Sequence, residues 1–277
     1  MRPTLNRFIC FGLLTVTLVP SLPAADFVIK PGEVVEFTAP LTPELRKLAG
    51  GGKPSANTEA LAAVAVPADF TPDRAWPILL VSATSDPGFN SSRKLLERFT
   101  APALAAGWIV IAADPAQPVE KADDTDGLRY ALLMSALTRL QREWPQVARW
   151  PCAFGGFSGG AKRSAVLAGF SAILGVQPIG LYQAGCNEAT MRRVIKNIPD
   201  ADQARFLAMP VFLSSGRDDR IAKPKAVEEV KAELKHLGFA KVKLARFTGG
   251  HEVNAPHIEE ALRWFRELAA KAVGRGK

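Results

Sequence analysis

The sequence predicts an α/β fold: a mostly parallel central sheet covered by helices on both faces, with no large lid domain. Three observations carry this. Apolar strand-like runs alternate with amphipathic helix-like runs from about residue 61 to the C-terminus, and that alternation builds parallel crossover units. The strand runs, such as "PILLVS" and "WIVIAA", are apolar throughout rather than alternating, as strands buried on both faces are. Finally, the run "PCAFGGFS" passes straight into "GGAKRSAVLAGF", a strand meeting a helix with no loop between. A chain of 277 residues, 48% of them hydrophobic and 22% charged, holds enough apolar material for one large core.

The elements follow in order. "DFVIKPGEVVEFTAPL" alternates around Pro-Gly and reads as an early strand or hairpin. "LAGGGKPSANTEA" is a polar, glycine-rich loop, and "LAAVAVPADF" is the next strand. "WPILLVSAT" is a buried strand, "SRKLLERFTAPALAAG" a helix interrupted at Pro102, and "WIVIAAD" another strand. "DGLRYALLMSALTRLQREW" is a long amphipathic helix, capped by Thr125 or Asp126. After the strand–helix junction come the strand "QPIGLYQAG", the helix "NEATMRRVIKNI" and the strand "MPVFLSSG". "KAVEEVKAELKHLG" places Val227, Val230, Leu234 and Leu237 on one face and stops at Gly238. "AKVKLARF" is the last strand, and the last helix sets Ile258, Ala261, Leu262, Phe265 and Leu268 on one stripe.

In open parallel sheets the site lies at the carboxyl ends of the strands, so the residues just past each strand are the candidates. The stretch "FGGFSGGAKRS" admits two chemistries. A phosphate-binding loop needs Gly, four residues, Gly, then Lys and Ser or Thr. Gly155 and Gly160 have that separation, but Ala161 precedes Lys162, and Arg163 separates Lys162 from Ser164. The dinucleotide pattern Gly-x-Gly-x-x-Gly also fails. The alternative is Gly156-Phe157-Ser158-Gly159-Gly160, a Gly-x-Ser-x-Gly turn. Such a turn lifts a serine hydroxyl above the sheet at the start of a helix, where backbone N–H groups and the positive helix end face developing negative charge. Ala161, Ser164, Ala165, Ala168 and Gly169 give that helix a small-residue face for tight packing on the sheet.

A serine hydroxyl needs a general base, and the base needs an orienting acid. Of the three histidines, His236 falls inside a surface helix and His257 opens the last helix. His251, in "FTGGHEVN", follows the last strand and reaches the carboxyl edge. The acid belongs after the preceding strand, where "VFLSSGRDDRI" offers Asp218 and Asp219, the other being free to pair with Arg217 or Arg220. Glu252 adjoins His251 too closely in sequence to orient its ring.

With Ser158, an aspartate and His251 in that order on a strand–helix rhythm, the chain resembles an α/β hydrolase from "LAAVAVPADF" to the last helix. "VPADFTPDRAWPILLV" and "GFSGG" are similar to the lidless secreted esterases: the polyhydroxybutyrate-depolymerase, feruloyl-esterase and phospholipase/carboxylesterase groups. The family's acid commonly follows a Gly-x-x-Asp turn, and Gly216-Arg217-Asp218-Asp219 then selects Asp219. The resemblance implies ester hydrolysis by Ser158, His251 and Asp219, with no metal or organic cofactor. It also implies an oxyanion hole of backbone N–H groups from Gly159 and from Ala83 or Thr84. Here the chain departs from the family, whose usual His-Gly after the third strand is replaced by Ser82-Ala83. The same residues would serve a serine peptidase or acyltransferase, and a chain without a working oxyanion hole would be a catalytically silent binding homologue.

The remaining features bound where the protein works. Residues 1–25 show a basic start with Arg2 and Arg7, the apolar run "FICFGLLTVTLV" and small residues before Asp26, the pattern of a secretory signal. Cleavage after Ala24 or Ala25 leaves one α/β domain over residues 26–277, exported to the periplasm or medium, with no membrane span. The apolar run is about half the length of a membrane span, a retained anchor being the alternative to cleavage, and Cys10 lacks a lipoprotein context. Removing Arg2 and Arg7 takes the net charge from +8 to +6. The basic residues are interspersed with acids, which excludes a nucleic-acid surface as partner and leaves a small or polymeric ester as the expected one. Cys152 and Cys186 are expected as free thiols. "ADDTDG" resembles half a calcium loop, but Ala122 and Leu133 occupy ligand positions, so its acids read as helix-start residues favoured by the dipole.

Overall fold

The computed structural model describes residues 28–274; the expected signal segment, 1–25, lies outside them. Eight strands form one sheet in the order β1-β2-β4-β3-β5-β6-β7-β8. They are β1 (Val34–Pro40), β2 (Glu59–Ala65), β3 (Ile78–Ser82), β4 (Ile109–Pro115), β5 (Cys152–Phe157), β6 (Gly180–Ala184), β7 (Val211–Gly216) and β8 (Val242–Phe247). β2 runs antiparallel to both β1 and β4, and all other pairs are parallel.

Successive residues of the inner strands point to opposite faces, which yields two cores. Ile78, Leu80, Ile109, Ile111 and Phe154 face one side. There they meet α3 (Asp126–Glu143), α4 (Gly159–Ile173) and α7 (Pro224–His236). Leu79, Val81, Val110, Tyr182 and Phe212 face the other, against α2 (Ser92–Ala105) and α8 (Ala255–Gly274). The chain passes from β3 to β4 on one flank and then crosses back to β5 on the other, so the topological switch point lies between β3 and β5. A crevice is expected at the carboxyl ends of those two strands.

Four elements differ from expectation. α2 runs through Pro102 without a break. The proline stands in the last turn, where its missing N–H costs a single helical bond, and its ring is buried. α1 (Pro43–Ala49) was not foreseen, although Thr42 accepting from the Leu45 N–H, followed by Pro43 and Glu44, is a standard helix start. The segment 187–198 holds only the short α5 (Arg192–Ile195), and α6 (Asp200–Leu207) follows it unannounced. Thr125 is the cap of α3, its hydroxyl accepting from the Leu128 N–H at 3.1 Å. Among the described residues no inserted domain interrupts this order, and no helix is long and apolar enough to cross a membrane.

Candidate active site

Ser158 sits between β5 and α4 with φ +56° and ψ −120°, the sole non-glycine with positive φ among the described residues. Such a conformation costs about 1–3 kcal/mol and persists only when its surroundings enforce it. They do so through backbone bonds and close packing. The Ser158 N–H donates to the Ala184 carbonyl on β6 at 2.8 Å, and the Ser158 carbonyl accepts from the N–H groups of Ala161 and Lys162. A Cβ on Gly160 would overlap the Ser82 carbonyl, and one on Gly156 would overlap the Gly160 carbonyl. Only glycine lets α4 come this close to β3 and β5. Ser158 is left partly exposed at the carboxyl edge.

Across β6, the loop after β8 brings His251 over the same edge. Its Nδ1 lies 2.8 Å from Asp219 Oδ2. Asp219 is buried, 3% exposed, and its second oxygen accepts from the N–H groups of Ile221 and Ala222, both at 2.8 Å. Three hydrogen bonds thus fix the carboxylate and compensate for its burial. With Nδ1 facing Asp219, Nε2 is the nitrogen available for a substrate-side proton. The His251 ring packs on Phe157, the residue before Ser158, with centroids 4.6 Å apart. It also lies against Gly185, where a Cβ would stand 2.9 Å from its Cε1. Among the described residues no hydrogen bond joins the Ser158 hydroxyl to this ring.

The other candidates fall elsewhere. Asp218 is exposed and forms no ion pair with Arg217 or Arg220; its N–H donates to Gly249. The Glu252 carboxylate lies against the Gly249 backbone. His236 is exposed on α7. His257 is buried in the first turn of α8, where its Nδ1 meets the Ser214 hydroxyl at 2.9 Å. Burial holds its pKa below the usual histidine range. Cys152 and Cys186 are free thiols, each pushed up to about 11 by burial.

Thr84 adjoins Gly159, close enough that a Cβ on the glycine would stand 2.7 Å from Thr84 Cβ. The Ala83 N–H donates to Ser92 Oγ at 3.1 Å, so that donor is already engaged. Ser82 is buried, its hydroxyl without a partner; it does not enter the site. Behind this loop lies a group of charges that the sequence reading missed. Arg129 (2% exposed) pairs with Asp124 at 2.6 Å and Asp114 at 2.7 Å. Burial alone would lower the Arg129 pKa, but its two carboxylates more than reverse this and hold it above the usual value. Arg163 pairs with Asp124 and Asp126, each at 3.3 Å. The available signal was an arginine at a core-facing position of two helical runs rich in apolar and small residues, "GLRYALL" and "GAKRSAVLAG".

No family model matches the chain, and no curated protein matches it. Its backbone, however, is similar to those of many solved structures. A lidless α/β serine hydrolase from Xanthomonas campestris superposes with a TM-score of 0.53 at 17% identity, over 90% of this chain and 97% of its own. The fold is that of the α/β hydrolases. A ferulic acid esterase gives a TM-score of 0.57 at 15% identity, over 85% of this chain and 98% of its own. An esterase from the archaeon Pyrobaculum calidifontis gives 0.55 at 14% identity, over 87% and 85%. In the α/β-hydrolase fold the eight strands here occupy one continuous sheet with two antiparallel pairings at the β1 end, and Ser158, Asp219 and His251 follow β5, β7 and β8.

Proposed function

We propose that the chain is an exported serine hydrolase that cleaves carboxylic esters through a Ser158 acyl-enzyme. The observation that carries this is the strained backbone of Ser158 at the β5–α4 junction, beside a histidine bonded to a buried aspartate. A fold rarely keeps such strain at a solvent-facing serine without a use for it.

In the proposed reaction His251 Nε2 takes the Ser158 proton as Oγ attacks the ester carbonyl. Asp219 holds the ring and stabilises its cation. The N–H groups of Gly159 and Thr84 donate to the oxyanion; Ala83 is set aside because its N–H donates to Ser92 Oγ. Each such donor contributes about 3–4 kcal/mol to the transition state. His251 then protonates the leaving alcohol, and water enters by the same base to release the acid. The Ser158–His251 hydrogen bond forms in the substrate complex, as is common for such pairs.

The absence of an inserted domain over the described carboxyl edge supports an open site for small or polymeric esters. The residue 1–25 pattern supports export, and N-terminal sequencing of the mature protein should read Ala25 or Asp26. Matched p-nitrophenyl esters and p-nitroanilides test the chemistry. Esters turning over much faster than anilides supports the reading. Equal rates assign a peptidase, and no turnover of either, with no acyl-enzyme on Ser158, leaves a silent binding homologue.

A further inference from the structure

Arg163 follows Ser158 by five residues on α4, yet its guanidinium points away from solvent, 7% exposed. Its Nη1 donates to the Ala83 carbonyl at 3.1 Å, and its Nη2 to the Asp124 carbonyl at 2.8 Å. The other side of Ala83 is also held. Its N–H donates to Ser92 Oγ, and the Ser92 N–H in turn donates to Asp114 Oδ1 at 2.7 Å. Arg129 closes the circuit, donating to Asp114, to Asp124 and to the Asn90 carbonyl. Four elements (the start of α2, the end of β4, α3 and α4) are thereby tied to one residue of the loop after β3.

A trans peptide is planar, with its C=O and the following N–H pointing in opposite directions. The described chain has no cis peptide. Drawing the Ala83 carbonyl toward Arg163 therefore turns the Thr84 N–H the other way. That N–H has no acceptor among the described residues, and Thr84 lies against Gly159, the first residue of α4. We propose that Arg163, braced by Asp124, is a positioning residue that aims the Thr84 N–H as the second oxyanion donor. It supplies from the nucleophile helix the fixation that the resemblance led us to expect from a His-Gly sequence at Ser82-Ala83. The inference rests on the serine-hydrolase reading above.

A trifluoromethyl ketone tests it. Ser158 Oγ adds to the ketone carbon, its proton passing to His251, and leaves a tetrahedral adduct whose oxygen ionises in the oxyanion hole. ¹⁹F NMR across a pH series reads the adduct's pKa. The comparison is wild type, Arg163→Lys and Arg163→Met, with circular dichroism and melting to establish folding. Expected is a loss of about 10- to 100-fold in kcat for R163M, as for a misplaced donor, with KM within about twofold. The adduct pKa should rise by about one unit or more, the loss of tenfold or more in oxyanion stabilisation expressed as ionisation. R163K, which keeps the buried charge and one donor, should fall between. If R163M does not fold, R163K against wild type carries the comparison. Folded variants with unchanged adduct pKa overturn the inference, even if kcat falls. If wild type forms no adduct on Ser158, the serine-hydrolase reading itself fails, a result distinct from an adduct that ignores Arg163.

Discussion

The turn at residues 156–160 and the loop at residues 82–92 meet where Thr84 touches Gly159, and they are held by different physics. The turn is held by backbone: three hydrogen bonds at Ser158 and glycines that admit α4 against β3 and β5. The loop is held by side chains: Ser92 and Arg163 bond Ala83, and Asp114, Asp124 and Arg129 hold those two in place. A local device is written in five consecutive letters. A device made of buried charges is spread over more than seventy residues of chain, because only the fold brings Ser92 and Arg163 together.

Substitutions can separate the two, from the largest effect to the smallest. Ser158→Ala should lower kcat for the best ester by about 10⁵- to 10⁶-fold while leaving the fold intact. A retained rate would remove the turn from the chemistry. Asp219→Asn should cost about 10⁴-fold by mis-setting the imidazole tautomer, whereas Asp218→Asn, at an exposed side chain, should stay within about twofold; steady-state kinetics on one ester decides both. On the loop side, Arg129→Met removes the closest cation from buried Asp124 and Asp114, leaving the first only Arg163 and the second only Arg93. It should destabilise the protein by about 3–5 kcal/mol in urea unfolding. Gly160→Ala attacks the turn instead, forcing α4 off the Ser82 carbonyl at about 1–3 kcal/mol. The turn variant should lose activity in proportion to the displaced Ser158, even where it stays folded.

The smallest effect concerns the strands that carry the turn. Cys152 and Cys186, raised to about 11 by burial, ionise very little at pH 8. Their reaction with a disulfide reagent should be about two to three orders of magnitude slower than a free thiol's. Denaturant should then release two thiols per processed chain, or three if Cys10 is retained. Fast reaction in the folded protein would show that β5 or the segment just past β6 is open where the structure packs it.

The same contrast explains what was legible in the sequence. The inner strands were legible because a strand buried on both faces shows itself as an unbroken apolar run, whereas β1, at the sheet edge, showed itself by alternation. The helix before β2 was missed although Thr42-Pro43-Glu44 announces it, because the glycines that follow drew the segment toward loop. Ser158 was visible because its strain requires small neighbours in sequence. His251 and the pair Asp218 and Asp219 were visible as candidates because topology puts sequence positions just past strands at one edge; the choice of Asp219 came from the resemblance, and that carboxylate is the one His251 contacts. The Asp124–Arg163 contact was not. "ADDTDG" read as acids favoured by a helix dipole, which fits the half-buried Asp126 at the start of α3 but not Asp124, at 5% exposure. Arg163 entered the reading only as the residue that spoils a phosphate loop, yet in the structure it grips the Ala83 carbonyl. No local pattern pairs a charge at 124 with one at 163.

The central claim, that the strained serine is the nucleophile, is tested most directly by incubating the purified protein with a fluorophosphonate and mapping the adduct by mass spectrometry. The account predicts one adduct per chain, on Ser158, formed by folded protein and abolished by His251→Ala or by prior denaturation. Folded wild-type protein that stays unmodified, or that carries its adduct on another serine, would contradict it.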